Sequence, residues 1–226
     1  MKISVITLFP QMFVGPFDES IIKRAREKKL VEIEFVNLRD FGIGKHKTVD
    51  DTPYGGGNGM ILRVDVLVDA IKKTLDKKFK QEKVVLLNPR GKQFNQKLAE
   101  NFAKLDHLIL VCGHYEGFDA RIKEFIDDEI SIGDFVLTGG ELAAIPIIDA
   151  VTRLIKGVIK EGSSQKESFS PLLEHDQYTK PVEYKGQKVP SILLSGNHAK
   201  IEKWKTNESI KITSRLRPDL LKNQKD

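Results

Sequence analysis

The chain has 226 residues, 40% of them hydrophobic, a single cysteine (Cys112) and a formal charge of +5 at pH 7. That suffices for a buried core in one large domain, or in one domain with a smaller companion, while a lone cysteine excludes an internal disulfide and suits a reducing compartment. No apolar run approaches a bilayer span, so a soluble, cytoplasmic protein is expected, and the basic excess lies late, residues 161–226 holding 12 Lys or Arg against 9 Asp or Glu.

Residues 2–9 (KISVITLF) lack a small-residue cleavage site and read as a buried first strand rather than a signal peptide. A helix is predicted over 17–30, with Asp18 and Glu19 near its start and a Lys/Arg cluster near its end, the polarity that the helix dipole favours. Residues 31–38 alternate apolar and acidic side chains, as a strand exposed on one side should. Strand, helix, strand makes a parallel-sheet unit. The long loop 39–60, closing in GGGNG, has the length of a functional loop. It satisfies neither phosphate motif: His46 follows Lys45, Arg39 stands where a P-loop needs its first glycine, and Met60 takes the last glycine position of a dinucleotide fingerprint. A dinucleotide oxidoreductase is therefore disfavoured.

Residues 64–78 predict a helix with Val68, Ile71 and Leu75 on one face. A strand at 84–87, a helix through Leu98 and Phe102, and a strand at 108–112 follow, with Cys112 read as a small buried hydrophobe. Glu124, Asp127, Asp128 and Glu129 predict a solvated acidic helix over 122–130. They show no coordination spacing, and no metal ligands are assigned.

Three strand ends share one character. VVLLNPRG (84–91) breaks at Pro89 and Gly91; the 108–112 strand breaks into GHYEGFDAR (113–121); and SIGDFVLTGGELAAIP (131–146) sets Ile132, Phe135, Val136 and Leu137 among Gly133, Gly139 and Gly140. The last reads as a short buried strand entered and left through glycine turns. Ligands collect outside the carboxyl ends of strands in open α/β sheets, so the three loops predict one pocket. A helix over 142–155 follows, interrupted early by Pro146 and carrying Arg153 toward its end. The polar segment 161–170 reads as a flexible linker, dividing a first domain, 1–160, from a second, 171–226, in which Ser195-Gly196-Asn197 starts a helix with Ile201 and Trp204 facing inward.

At VITLFPQMF (5–13), TVDDTPYGGGNGM (48–60), CGHYEGFDARI (112–122), SIGDFVLTGGEL (131–142), LLSGNHAKIEKW (193–204) and RLRPDLL (215–221) the chain resembles the bacterial tRNA (guanine-N1)-methyltransferases, TrmD-like members of the SPOUT superfamily. The six strings run in family order over almost the whole chain. The resemblance implies an α/β fold: a parallel-sheet, trefoil-knotted methyltransferase domain followed by a small, mainly helical C-terminal domain that binds tRNA. It further implies S-adenosyl-L-methionine as methyl donor and a homodimer with the active site between subunits, acting on N1 of guanine 37. Neither the knot nor the dimer is legible from periodicity.

Carried onto this chain, the family's donor site maps to Leu87, Pro89, Gly113, Tyr115, Glu116, Ile132, Gly133, Asp134, Phe135, Val136, Leu137, Gly139 and Gly140. Backbone groups there would read adenine edges between apolar walls. Methyl transfer from a sulfonium needs alignment, a base for the N1 proton and a cation near O6. The donor already carries its charge, so no metal is needed to activate it; Mg²⁺ stays possible and cannot be read from sequence. The family's arginine aligns with Arg153. Its acid precedes a Ser-Phe pair and is Asp, whereas here Glu167 stands before Ser168-Phe169, and Glu174 and Asp176 are held in reserve. His114 is assigned to RNA or solvent. Lys200, Lys203, Lys205, Lys211, Arg215 and Arg217 are assigned to tRNA phosphates. Two alternatives remain: a non-catalytic RNA-binding relative, and a methyltransferase acting on another RNA position.

Overall fold

The computed structural model describes residues 1–160, 162 and 167–222. They fall into two compact units, Met1–Ile159 and Lys160–Asp226. The linker expected at 161–170 begins one residue beyond that division, and its residues 161 and 163–166 lie outside the described residues.

The first unit is built on a five-stranded sheet in the order β2-β1-β6-β5-β7, every pair parallel. In chain order its elements are β1 (Lys2–Thr7), α1 (Ser20–Glu27), β2 (Glu32–Asn37), the short pair β3 (Asp50–Asp51) and β4 (Ile61–Leu62), α2 (Val64–Thr74), β5 (Glu82–Gln93), α3 (Gln96–Phe102), β6 (His107–Cys112), β7 (Asp128–Ser131) and α4 (Glu141–Thr152). Strand alternation divides the core into two layers. Ile3 and Val5 of β1 pack with Leu108, Leu110 and Cys112 of β6 against α1, α3 and α4. Ile6, Ile109 and Val111 face the opposite way, onto α2. All six residues of β6 are buried, as suits a strand covered on both faces.

Several elements differ from the sequence reading. The helix expected over 17–30 is only α1, which opens at Ser20, with φ of 55°, and closes before Lys29, with φ of 56°; Asp18 instead accepts the Gly15 amide and pairs with Arg26. The helix expected to Lys78 ends at Thr74, where Leu75 turns extended. The acidic helix over 122–130 is a correction: a 3-10 turn covers Ala120–Phe125 and residues 128–131 are the edge strand β7. Ile130 is needed in the core, and three of the four carboxylates are engaged rather than merely solvated, while Glu124 is exposed. Asp127 accepts the Val84 amide, Asp128 pairs with Lys83 and Glu129 with Lys123. The buried strand expected within 132–137 is a second correction. Phe135 is 54% and Val136 86% exposed, since β7 already occupies the place beside β5 and the chain turns sharply at Ser131 and Gly133.

The second unit contains a hairpin of β8 (Glu183–Tyr184) and β9 (Gln187–Lys188), then α5 (His198–Leu216) and α6 (Pro218–Lys222). Asn197 caps α5 by accepting the Lys200 amide through its side chain. Thr213, fully buried, receives the Leu173 amide on its hydroxyl, and this ties residues before the hairpin to the helix. Ile201 and Trp204 are both half-buried.

Candidate active site

Three neighbouring strands, β6, β5 and β7, deliver their carboxyl ends to one place. Leu87 pairs with Ile130, and then Lys92 pairs with Ile130 again, so residues 88–91 bulge out of the ladder as a loop. Gly91 makes the return possible: a Cβ there would lie 2.4 Å from the Ile130 nitrogen. The Asn88 side chain donates to Glu129 and accepts the Arg90 amide, which fixes the bulge.

After β6 the chain turns through residues 113–117. Tyr115 takes the left-handed conformation, φ 58°, unusual for a ring-bearing residue, and its ring stands edge-on to His114 at 4.9 Å. Segment 59–62, at the end of the glycine run, is laced to this loop: Glu116 donates its amide to the Met60 carbonyl, and Leu62 donates to the Gly117 carbonyl. The loop then closes with Asp119, whose carboxyl is held below the usual carboxylate range by its hydrogen bonds to Arg121.

The third wall, 131–140, crosses back over the end of β6. Gly140 donates to the Gly113 carbonyl at 2.7 Å, and a Cβ on Gly140 would fall 2.7 Å from the Gly113 nitrogen. Backbone therefore lies on backbone, which only glycine permits. Beneath, Cys112 is buried, and burial together with the charge of Glu141 pushes its thiol well above the usual range; it is an inert packing residue.

The three loops enclose a cavity of about 440 Å³. Of the donor residues assigned from sequence, Leu87, Pro89, Gly113, Tyr115, Glu116, Ile132, Gly133, Phe135, Val136, Leu137, Gly139 and Gly140 line it, and Asp134 does not. Asn88, Arg90, Phe118 and Thr138 also line it and went unassigned; each lies inside a strand-end loop already singled out, and that adjacency was the available signal. His114, assigned to RNA or solvent, lines the cavity, with its Nδ1 buried and without a partner among the described residues.

Arg153 is half-buried and forms the C-cap of α4 in the first unit. Glu167 is half-buried in the second unit, its carbonyl accepting the Ser170 amide. Glu174 and Asp176 are exposed. Along α5 and beyond, Lys205 pairs with Glu202, Lys211 with Glu208 and Arg217 with Asp219, Arg217 also lying over the Phe169 ring. Lys200, Lys203 and Arg215 are exposed. Among the described residues no three His, Cys, Asp or Glu side chains converge as a metal site, and no helix is long and apolar enough to cross a membrane.

A sequence model of the family described as tRNA (Guanine-1)-methyltransferase TrmD matches residues 1–223. Curated proteins named tRNA (guanine-N(1)-)-methyltransferase are similar over nearly their whole lengths. That of Dehalococcoides mccartyi is 54% identical over 224 residues, 98% of this chain and 90% of its own. That of Clostridium botulinum is 55% identical over 225 residues, 99% and 93%, and that of Bacillus subtilis 54% over 226 residues, 99% and 93%.

Proposed function

The chain belongs to the tRNA (guanine-1)-methyltransferase family, and from that premise we propose that it transfers a methyl group from S-adenosylmethionine to N1 of guanine 37 in tRNA. The observation that carries the donor assignment is the cavity at the ends of β6, β5 and β7. Its volume falls within the range of small-molecule sites, and it presents glycine backbone at Gly113, Gly139 and Gly140 where side chains would collide. The group fits these residues. Leu87, Ile132 and Leu137 supply apolar walls for a flat base, the amides and carbonyls of 133–140 supply its polar contacts, and Glu116 supplies a carboxylate for a cationic part of the ligand. When bound, the donor supplies an electrophilic methyl group on a sulfonium.

The chain's own residues must align the acceptor and manage one proton. N1 of guanine becomes nucleophilic as its proton departs and charge moves onto O6. Glu167 is proposed as the group that takes the proton and Arg153 as the cation that stabilises O6. Both belong to a site shared between two subunits of a homodimer. Glutamate carries one methylene more than the family's aspartate, so its backbone must stand farther from the base; an error near 1 Å costs on the order of a hundredfold in rate. Lys200, Lys203, Lys205, Lys211, Arg215 and Arg217 are proposed to meet tRNA phosphates. The trefoil-knotted path and a cytoplasmic location belong to the same reading. The knot is supported by the return of 131–140 across the end of β6.

The test is methyl incorporation into an unmodified tRNA transcript carrying guanine at 36 and 37, measured with and without Mg²⁺, for the wild type, Glu167→Gln and Glu167→Asp. Wild-type turnover that is lost on replacing guanine 37, collapses in the Gln variant and survives in the Asp variant is the expected result. A fully active Gln variant moves the base to Glu174 or Asp176. A wild type that binds donor and tRNA without transfer makes the protein an RNA-binding relative.

A further inference from the structure

Glu141 is buried to 1% exposure on the first turn of α4. One oxygen, Oε1, accepts a hydrogen bond from Thr7 Oγ1 at 2.6 Å; the other, Oε2, is buried with no partner among the described residues. A carboxylate oxygen removed from water without a donor is among the costlier arrangements in a fold, and native structures that keep one generally have a use for it. Nothing in the donor-binding or proton-transfer roles above uses Glu141.

Its placement indicates the use. A Cβ on Gly139 would fall 2.4 Å from Glu141 Oε2 and 2.8 Å from His114 Nδ1, the second buried atom without a partner. Gly139 and His114 both line the cavity. The unpaired carboxylate oxygen thus lies directly against the bare backbone of the wall. Thr7, by holding Oε1, leaves Oε2 as the oxygen turned to Gly139. No backbone N–H or cationic side chain among the described residues neutralises it.

We infer that Glu141 is a charge-selecting residue, whose unpaired oxygen favours a cationic ligand in the cavity over a neutral ligand of the same shape. The inference rests on the reading that this cavity holds S-adenosylmethionine, whose sulfonium is positive. The demethylated product is a neutral thioether. A positive group held within about 10 Å of a carboxylate would be attracted, at an effective dielectric near 20, by enough to change a dissociation constant by roughly tenfold. That attraction vanishes when the methyl group leaves, so Glu141 retains the loaded donor and loosens its hold on the spent one. Gly139 is part of the device, because any side chain there would displace both unpartnered atoms.

Isothermal titration of the full chain at pH 8, above the ordinary imidazole range, tests this with S-adenosylmethionine and S-adenosylhomocysteine on the wild type and Glu141→Gln. The Gln variant is expected to bind the cationic donor about tenfold more weakly while its affinity for the neutral product changes less than about twofold. Equal weakening of both ligands, or of neither, overturns the inference and leaves Glu141 as an anchor for Thr7. Failure of the wild type to bind either ligand overturns the donor reading itself, and the inference with it. Should the Gln variant not fold, the wild type and Glu116→Gln are titrated with two isosteric donor analogues carrying a protonated amine or a neutral carbon in place of the sulfonium. A preference for the amine that survives the loss of Glu116 supports the inference, and equal affinities, or a preference abolished by Glu116→Gln, overturn it.

Discussion

Thr7 Oγ1 donates a 2.6 Å hydrogen bond to Glu141 Oε1, joining residues 134 positions apart at the end of β1 and the start of α4. The same hydroxyl accepts the Phe9 amide at 2.9 Å, so one side chain fixes the exit of the first strand and the entry of the last helix of this unit. Hydrogen bonds to charged groups contribute more than neutral ones, and a partner left behind in the core costs more than the bond contributed. Thr7→Val is accordingly expected to destabilise the protein by about 1.5–3 kcal/mol, read as a lower midpoint in urea denaturation. A loss no larger than that of a surface substitution would show that Glu141 finds another donor.

Gly140→Ala tests the backbone contact over the end of β6. The new Cβ would lie 2.7 Å from the Gly113 nitrogen and 2.8 Å from the Cys112 Cα, both main chain and unable to swing aside. Overpacking of this kind costs about 1–3 kcal/mol, and here the strain falls on the cavity wall. The variant is expected to lose donor binding by titration while its circular dichroism stays that of a folded protein. Wild-type affinity in a folded variant would mean that the wall contributes nothing to the site.

His107 gives a pH dependence of stability. Its ring is fully buried, with Nε2 at 2.8 Å from Ser4 Oγ and Nδ1 at 2.5 Å from Glu82 Oε1. Burial holds the imidazole below its usual range, against the opposing pull of Glu82. The unfolded chain therefore takes up this proton first as pH falls through the ordinary histidine range. The contribution is fully present above that range and is lost progressively down to the depressed folded-state value. Denaturation midpoints at pH 8 and pH 5.5 should differ more for the wild type than for His107→Gln. An identical difference in the two proteins would remove His107 as the cause.

Lys200 and Lys203 are exposed and make no ion pair among the described residues. If they meet tRNA phosphates as proposed, replacing either by Ala should weaken tRNA binding across sequences and lower the slope of log affinity against log salt by about 1. Lys211, which pairs with Glu208 at 3.4 Å, is expected to give a smaller change because its ammonium already has a counter-charge. Filter binding at several salt concentrations reads both. An unchanged slope for Lys200→Ala would place the RNA elsewhere.

Local patterns carried much of this protein. The apolar runs of β1, β5 and β6, the alternation in β2, the Asn197 cap of α5, the strand-end loops at 88–91 and 113–117 and the glycine turns of 131–140 are each properties of a few consecutive residues. Reading them needs only side-chain period, turn chemistry and dipole polarity. The six ordered strings carried the family as well, because they too are local. Tertiary structure decided what depends on a neighbour distant in sequence. Ile130 made 128–131 an edge strand because β5 had an open side, although its flanking acids had the composition of a solvated helix. That edge being filled, Phe135 and Val136 were left exposed at a cavity instead of buried in a sheet. Glu141 stands one residue before the helix expected over 142–155, and no local pattern marks it. Only its placement against Thr7, His114 and Gly139 made it a buried carboxyl with one oxygen unpartnered among the described residues, since burial and pairing are properties of the space around an atom and not of its position along the chain.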